Sequence, residues 1–579
     1  GKATLTVASG ATATVKNGSI VGGTSFYTIQ NNGTATLEDV TATAGNTGSS
    51  MLDNAGVLTI TSGSYSGGMN TVKNEANAKL TINNGKFENS YGENNAHTGV
   101  IYNLGKLEIN DGEFTQKATT PAWAYPHVVM TAYEGAKPST VIKGGTFTST
   151  LKNWKSTILN HDGADSAGAT KVSGGTFNMK VDESYCAEKF VPVNNNDGTY
   201  GVKVDDTTYE AKLLDAEGTY VDAYVTFADA VTAAQNGHTV TLLKNVDLTS
   251  TLSVDANKQV TLDLNSHNIT QTNTDGYGKN ALSLASGVDV TITGTGTITG
   301  TLAGIYMANG STLTVNSGTI KGGPNGIYVA DGATLTVNGG TISGGANAVY
   351  NAGTTTIGGD AVLDQTPSFS VTCAADSTLT ITGGTFKNVG SEDPNTGYTA
   401  VVSGGTFSLT ANVTSVTGGT FNGGLVLKGD DASIRGATIN DYIDWDGDTV
   451  PECESVTFGE NATVDKEGYR INAARTAIEA IPYVAGISGT KYETLQAAVD
   501  AVQNNETISI LKAGGIATVS RTVKFTVNPD GKAYSITLGS YYRDKNDDAN
   551  IFDVVYSAPS SGSYDPTYSV STPSKTEHG

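Results

Sequence analysis

Along most of the chain, apolar and polar residues alternate in short runs, each closed by a glycine-rich turn. STLTVNSGTIKGG (311–323), ATLTVNGGTISGG (333–345) and STLTITGGTFKNV (377–389) share one order. An alternating run comes first, then a turn, then a second short run opened by Thr and Ile or Phe. Strict alternation marks β-strands with one buried face. Leu313, Val315, Leu335 and Val337 are therefore expected to point inward, and the threonines between them outward.

The spacing selects the architecture. The tetrad GGTF recurs at 144–147, 174–177, 383–386, 404–407 and 418–421, and Ile298, Ile320 and Ile342 stand 22 residues apart. A period of that size holds two or three short strands with their turns and leaves no room for a helix in each repeat. Helical solenoids are excluded on that ground, and no leucine-rich signature is present. The remaining fit is an all-β solenoid, a right-handed parallel β-helix in tandem modules, with each Phe or Ile of the tetrads stacked on its equivalent in the next coil. At about 4.8 Å per coil, about 20 coils make a rod about 95 Å long.

Two segments depart from the strand pattern. YVTFADAVTAAQNGHTVTLLK (224–244) and YETLQAAVDAVQNNETISILK (492–512) align without a gap and match at 10 of 21 positions. Leu495, Ala498, Val499 and Val502 follow the spacing of an amphipathic helix. Thr226 and Thr494 suit N-caps. Capping helices near 226–236 and 494–504 are expected, each covering the open end of a new β-helix. This gives a first module over 1–205 that lacks its starting cap, a second over 206–480 and a small third over 481–556. The Ser-, Pro- and Gly-rich residues 557–579 read as a linker to a stalk or anchor.

Composition agrees and narrows the partners. Seventy-one glycines suit many tight turns, and a net charge of −22 disfavours nucleic acid, whose phosphates need clustered Lys and Arg. Cys186, Cys373 and Cys453 are odd in number and far apart, so they give no disulfide framework. No apolar run reaches the about 20 residues that span a bilayer, so no membrane insertion is expected. The first residues, GKATLTVASG, carry no signal-peptide pattern and begin inside a repeat, as in a piece of a longer chain.

The helix-plus-strand blocks, TLDLNSHNIT (261–270) and the coils ending in GGTF together resemble the pectin-lyase-like β-helix surface proteins of anaerobic Gram-positive bacteria. The run at 172–204 is similar to the segment that closes such a module, and KTEHG at the end is similar to the start of a stalk repeat. The resemblance implies the fold and an extracellular place on a bacterial surface. It implies little about activity, since one fold hosts many functions.

Four features carry candidate chemistry. Polygalacturonases of this fold carry NTD, GHG and RIK motifs; here NTD stands alone at Asn273–Asp275, and the six histidines form no metal or catalytic pattern. The loop NDYIDWDGDTVPECE (440–454) places Asp444, Asp446 and Asp448 at a spacing that suits Ca²⁺, although Thr449 and Ser455 break the EF-hand pattern. Its alternative is a solvated acidic loop. Insertions in successive coils bring Trp123, Tyr125, Tyr133 and Trp154 side by side as a platform for sugar faces, with Asn160 or Asp162 to bond hydroxyls. The alternative there is packing of the loops against the rod. Tyr306, Tyr328 and Tyr350 recur every 22 residues and are expected to point outward and stack, as a structural ladder or a glycan-binding strip. Paired threonines such as Thr312 and Thr314 also resemble the ranks of β-helical antifreeze proteins.

The expectation is a non-enzymatic adhesin or carbohydrate-binding rod, monomeric, meeting glycans or a protein of a host or cell surface. A purely structural spacer is the rival, and a polysaccharide lyase or glycoside hydrolase the third reading.

Overall fold

The computed structural model describes residues 2–92, 98–119, 127–151, 157–161, 169–274, 278–363, 369–391, 397–430, 432–521, 523, 525–538 and 554–556. The chain forms two compact units. One is made of Gly1–Asp247, Lys258–Ile269 and Thr293–Gly296, and the other of Leu248–Asn257, Thr270–Ile292 and Thr297–Gly579.

The first unit contains sheets of seven, seven and nine strands, whose parallel neighbours come from successive coils; only the last two strands of the nine-stranded sheet pair antiparallel. Ile29, Leu52, Val72, Ile101, Val129 and Ile158 occupy one register position and point into the core. Beside that rank the alternation takes an unexpected turn, because the next inward position is polar. Asn31 donates to Asn54 Oδ1, Asn54 to Asn74 Oδ1 and Asn74 to Asn103 Oδ1, each at 2.7 Å and fully buried. Each of these three Nδ2 groups also reaches a backbone carbonyl at the start of the following strand, Val57 O, Lys79 O and Lys106 O, so each of the three has a second partner.

In the third sheet Tyr65, Phe87, Phe114, Phe147 and Phe177 form one buried stack with ring centroids 4.8–4.9 Å apart. The second glycine of each GGTF tetrad explains the motif. Gly145 and Gly175 sit at φ 100° and 101°, a backbone conformation that side chains resist. Phe190–Asn194 and Tyr200–Val204 form an antiparallel hairpin, and the latter strand pairs with Thr176–Phe177.

The second unit repeats the plan. Ile298, Ile320 and Ile342 stack, as do Phe386, Phe407 and Phe421. Leu313, Val315, Leu335 and Val337 point inward, as do Ile305, Met307, Ile327, Val329 and Val349. The parallel β-helix and its inward faces are thus as the alternation requires. At the last coil, Arg475 donates to the carbonyls of Phe458, Gly459 and Ala462, satisfying acceptors that no further strand meets.

Both capping helices exist. The first, α1, spans Phe227–Ala233 and the second, α2, spans Leu495–Ala501, with the Thr226 and Thr494 hydroxyls accepting from the Asp229 and Ala497 N–H groups. They are shorter than the pattern suggested. Ala234 and Val502 already have extended backbone, which aims the chain into the following strand. The alternation also missed a partner of each helix. A hairpin, Ala211–Leu214 with Tyr220–Tyr224, precedes α1, and Ala485–Ile487 with Thr490–Tyr492 precedes α2. In each case the first hairpin strand pairs antiparallel with the strand after the helix. The segment around α2 has its own apolar cluster, including Leu495, Val499, Ile508, Phe525 and Val527.

Candidate functional site

Strands Ala303–Met307, Asn325–Val329 and Asn347–Asn351 pair in register, so their tyrosines are forced into one outward rank. Tyr306 and Tyr328 have ring centroids 5.3 Å apart and Tyr328 and Tyr350 4.9 Å, with interplanar angles of 19° and 14°. All three are half-buried, as rings that shade one another must be. Burial within the stack, followed by its Tyr350 and Tyr306 neighbours, raises the Tyr328 phenol above its ordinary value. Two residues before Ile327 and Val349, Asn347 Nδ2 donates to Asn325 Oδ1 at 2.9 Å, and Thr372 donates to Asn347 Oδ1.

The rank is longer than its tyrosines. Ser283 pairs with Tyr306, Ser253 with Ser283, and Tyr350 with Thr372. Six coils therefore each place one outward hydroxyl along a line. On the neighbouring sheet Thr314, Thr336, Thr356 and Thr380 are likewise in register.

Of the inserted-loop aromatics, Tyr133 follows strand His127–Ala132 and is 46% exposed. Trp123, Tyr125, Trp154 and Asp162 lie outside the described residues. Asn160 does not serve such a platform. It points inward, buried, and its Oδ1 accepts from the Thr170 hydroxyl at 2.5 Å. The alternation places it there: it follows Leu159 in a strand whose inward rank is the one that carries the asparagines. His127 and His161 lie in strands.

The acidic loop is tied down from within. Asp444 Oδ1 accepts from the Trp445 N–H at 2.8 Å, and Asp446 accepts from the Gly429 N–H at 2.7 Å and faces Lys428 at 3.5 Å. Lys466 donates to the carbonyls of Trp445 and Gly447, supplying a positive charge to the oxygens of the loop. Asp444, Asp446 and Asp448 are not brought together. Among the described residues no group of three or more His, Cys, Asp or Glu side chains is placed to hold a metal ion.

A cluster on the first sheet was not apparent from the sequence. Register aligns Gln30, Asp53, Lys73 and Tyr102 in one outward rank. Asp53 is only 4% exposed; its Oδ2 accepts from Gln30 Nε2 at 3.5 Å and its carboxyl contacts that of Glu75. Burial, followed by the hydrogen bond and repulsion from Glu75, pushes Asp53 up to about 7. Lys73 lies 2.6 Å from Glu75 Oε1. Burial works to lower the lysine, but Glu75 and Asp53 outweigh it and raise it.

No protein-family model, curated protein or solved structure matches the chain. The class that the coordinates define is the parallel β-helix repeat protein. Among the described residues no helix is long and apolar enough to cross a membrane.

Proposed function

We propose that the chain is a carbohydrate-binding adhesin of a bacterial cell surface, a pectin-lyase-like β-helix of the kind found in anaerobic Gram-positive bacteria. The supporting observation is the outward rank of Tyr306, Tyr328 and Tyr350, held in register on a rigid sheet. Phenols in a fixed row offer neutral donors and acceptors with apolar ring edges, the mixture that sugars need. The acidic balance of the chain, at −22, favours neutral glycans over polyanions. A host or neighbouring-cell glycan is the expected partner.

The test is a glycan array probed with the native chain, with Tyr306→Ser/Tyr328→Ser/Tyr350→Ser, and with Trp123→Ala/Trp154→Ala. Saturable binding lost in the tyrosine variant supports the reading. Binding lost only in the tryptophan variant moves the site to the inserted loops. No binding to any glycan leaves a structural spacer as the better account.

A further inference from the structure

We infer that the rank running Ser253, Ser283, Tyr306, Tyr328, Tyr350 and Thr372 takes an extended, neutral, β-1,4-linked polysaccharide laid along the stack, one sugar to each coil; the inference stands on the carbohydrate reading above. Strand pairing places each of these residues directly over the last, so the row repeats at the strand spacing of about 4.8 Å. The tyrosine centroids, at 5.3 and 4.9 Å, keep that step.

Three features of the row select the ligand. Every member carries a hydroxyl and none a charge, so it hydrogen-bonds neutral sugars and has nothing to pair with carboxylates or sulfates. The ring faces are covered by their neighbours, so a ligand meets ring edges and phenol oxygens instead of a free stacking platform. That disfavours a single sugar held by one ring and favours a chain that makes one modest contact per rung. Finally, the row is straight and periodic. A sugar chain linked through equatorial bonds is a flat ribbon that advances by about one strand spacing per residue, so each sugar, with alternate ones turned over, meets one rung. An α-1,4-linked chain coils, and a β-1,3-linked chain curves, so each leaves the row after a sugar or two.

The Asn325–Asn347 pair runs beside the tyrosines with the same step, adding amide groups at the edge of the track. Asn347 Oδ1 already accepts from the Thr372 hydroxyl. The remaining contacts therefore fall on the phenols.

The experiment is calorimetric titration of the whole chain with cello- and chito-oligosaccharides from dimer to hexamer, against malto- and laminari-oligosaccharides of equal length. Affinity for the β-1,4 series is expected to rise roughly threefold to tenfold with each added sugar before levelling off, while the other two series stay flat. Tyr328→Phe, which removes only a hydroxyl, is expected to weaken the longer β-1,4 ligands by a similar factor with an unchanged melting temperature. Malto- or laminari-oligosaccharides that gain equally with length, through Tyr328, would overturn this inference and leave the carbohydrate reading intact. Absence of binding by all series would overturn this inference, while the glycan array decides the carbohydrate reading by itself.

Discussion

The side-chain amide of Asn54 donates to Asn74 Oδ1 at 2.7 Å in the buried core of the first unit, and Asn74 passes the same bond on to Asn103. Removing one rung strands the groups on both sides. Asn74→Ala leaves the Asn54 amide, Asn103 Oδ1 and the Lys106 carbonyl short of a partner. With a buried unsatisfied group costing about 1–3 kcal/mol, the variant is expected to lose about 3 kcal/mol or more, read as a lower urea midpoint. An unchanged midpoint would mean that the ladder contributes nothing.

Phe114 is stacked between Phe87 and Phe147, 4.9 Å from each, with no exposure. Phe114→Ala opens a cavity that neighbouring coils cannot fill, because both flanking rings are held by their own strands. The expected loss is about 3–5 kcal/mol in the same assay. Phe114→Leu, which keeps most of the volume, is expected to cost less than half as much.

Asp53 yields a pH dependence of definite sign. Its folded value, pushed up to about 7, lies above the roughly 3.9 of an unfolded aspartate. Its contribution is therefore complete below about pH 4 and is lost as pH rises through about 7, because the folded chain holds the proton that the unfolded chain has released. The groups facing it are Tyr27, Gln30, Lys73 and Glu75. Asp53→Asn keeps a neutral donor at the site, so it is expected to be near-neutral at about pH 4.5 and stabilising at about pH 7.5. Thermal unfolding of both proteins at the two pH values checks this, and a difference that does not change with pH would contradict it.

Lys189, at the closing segment of the first coil stack, donates to Asp222 Oδ1 at 2.5 Å and to Ala223 O at 2.9 Å, with its ammonium 5.5 and 5.9 Å from the rings of Tyr209 and Tyr224. Phe190 and Tyr220 meet edge to face beside it. Lys189→Met keeps the stem and removes the charge. Hydrogen exchange at Tyr220–Tyr224 is expected to quicken while the melting temperature falls only slightly, since a partly exposed ion pair contributes about 1 kcal/mol or less. Unchanged exchange there would show that the clasp does not hold the hairpin.

How much of this was legible follows from what each feature repeats. The tyrosine rank lies in coils of equal length, so Tyr306, Tyr328 and Tyr350 recur at a constant interval and alternation assigns their outward side. The helices announce themselves through Thr226 and Thr494 and through the apolar face of α2. The asparagine ladder was hidden because Asn31, Asn54, Asn74 and Asn103 are unevenly spaced, and because a polar residue at an inward position contradicts simple patterning. The Asp53–Glu75 contact was hidden for the same reason: coils of different length bring them together, and only the register reveals it. Ser253, Ser283 and Thr372 complete the hydroxyl row without resembling tyrosine, so no motif search joins them.

The most direct test of the carbohydrate account is an aromatic NMR spectrum of the chain labelled at tyrosine, recorded with and without a glycan selected on the array. Signals of Tyr306, Tyr328 and Tyr350, assigned by single Tyr→Phe substitutions, are expected to shift together on titration while Tyr65, buried in the first core stack, stays fixed. Saturating glycan that leaves all three signals unmoved would contradict the account and place any binding elsewhere on the chain.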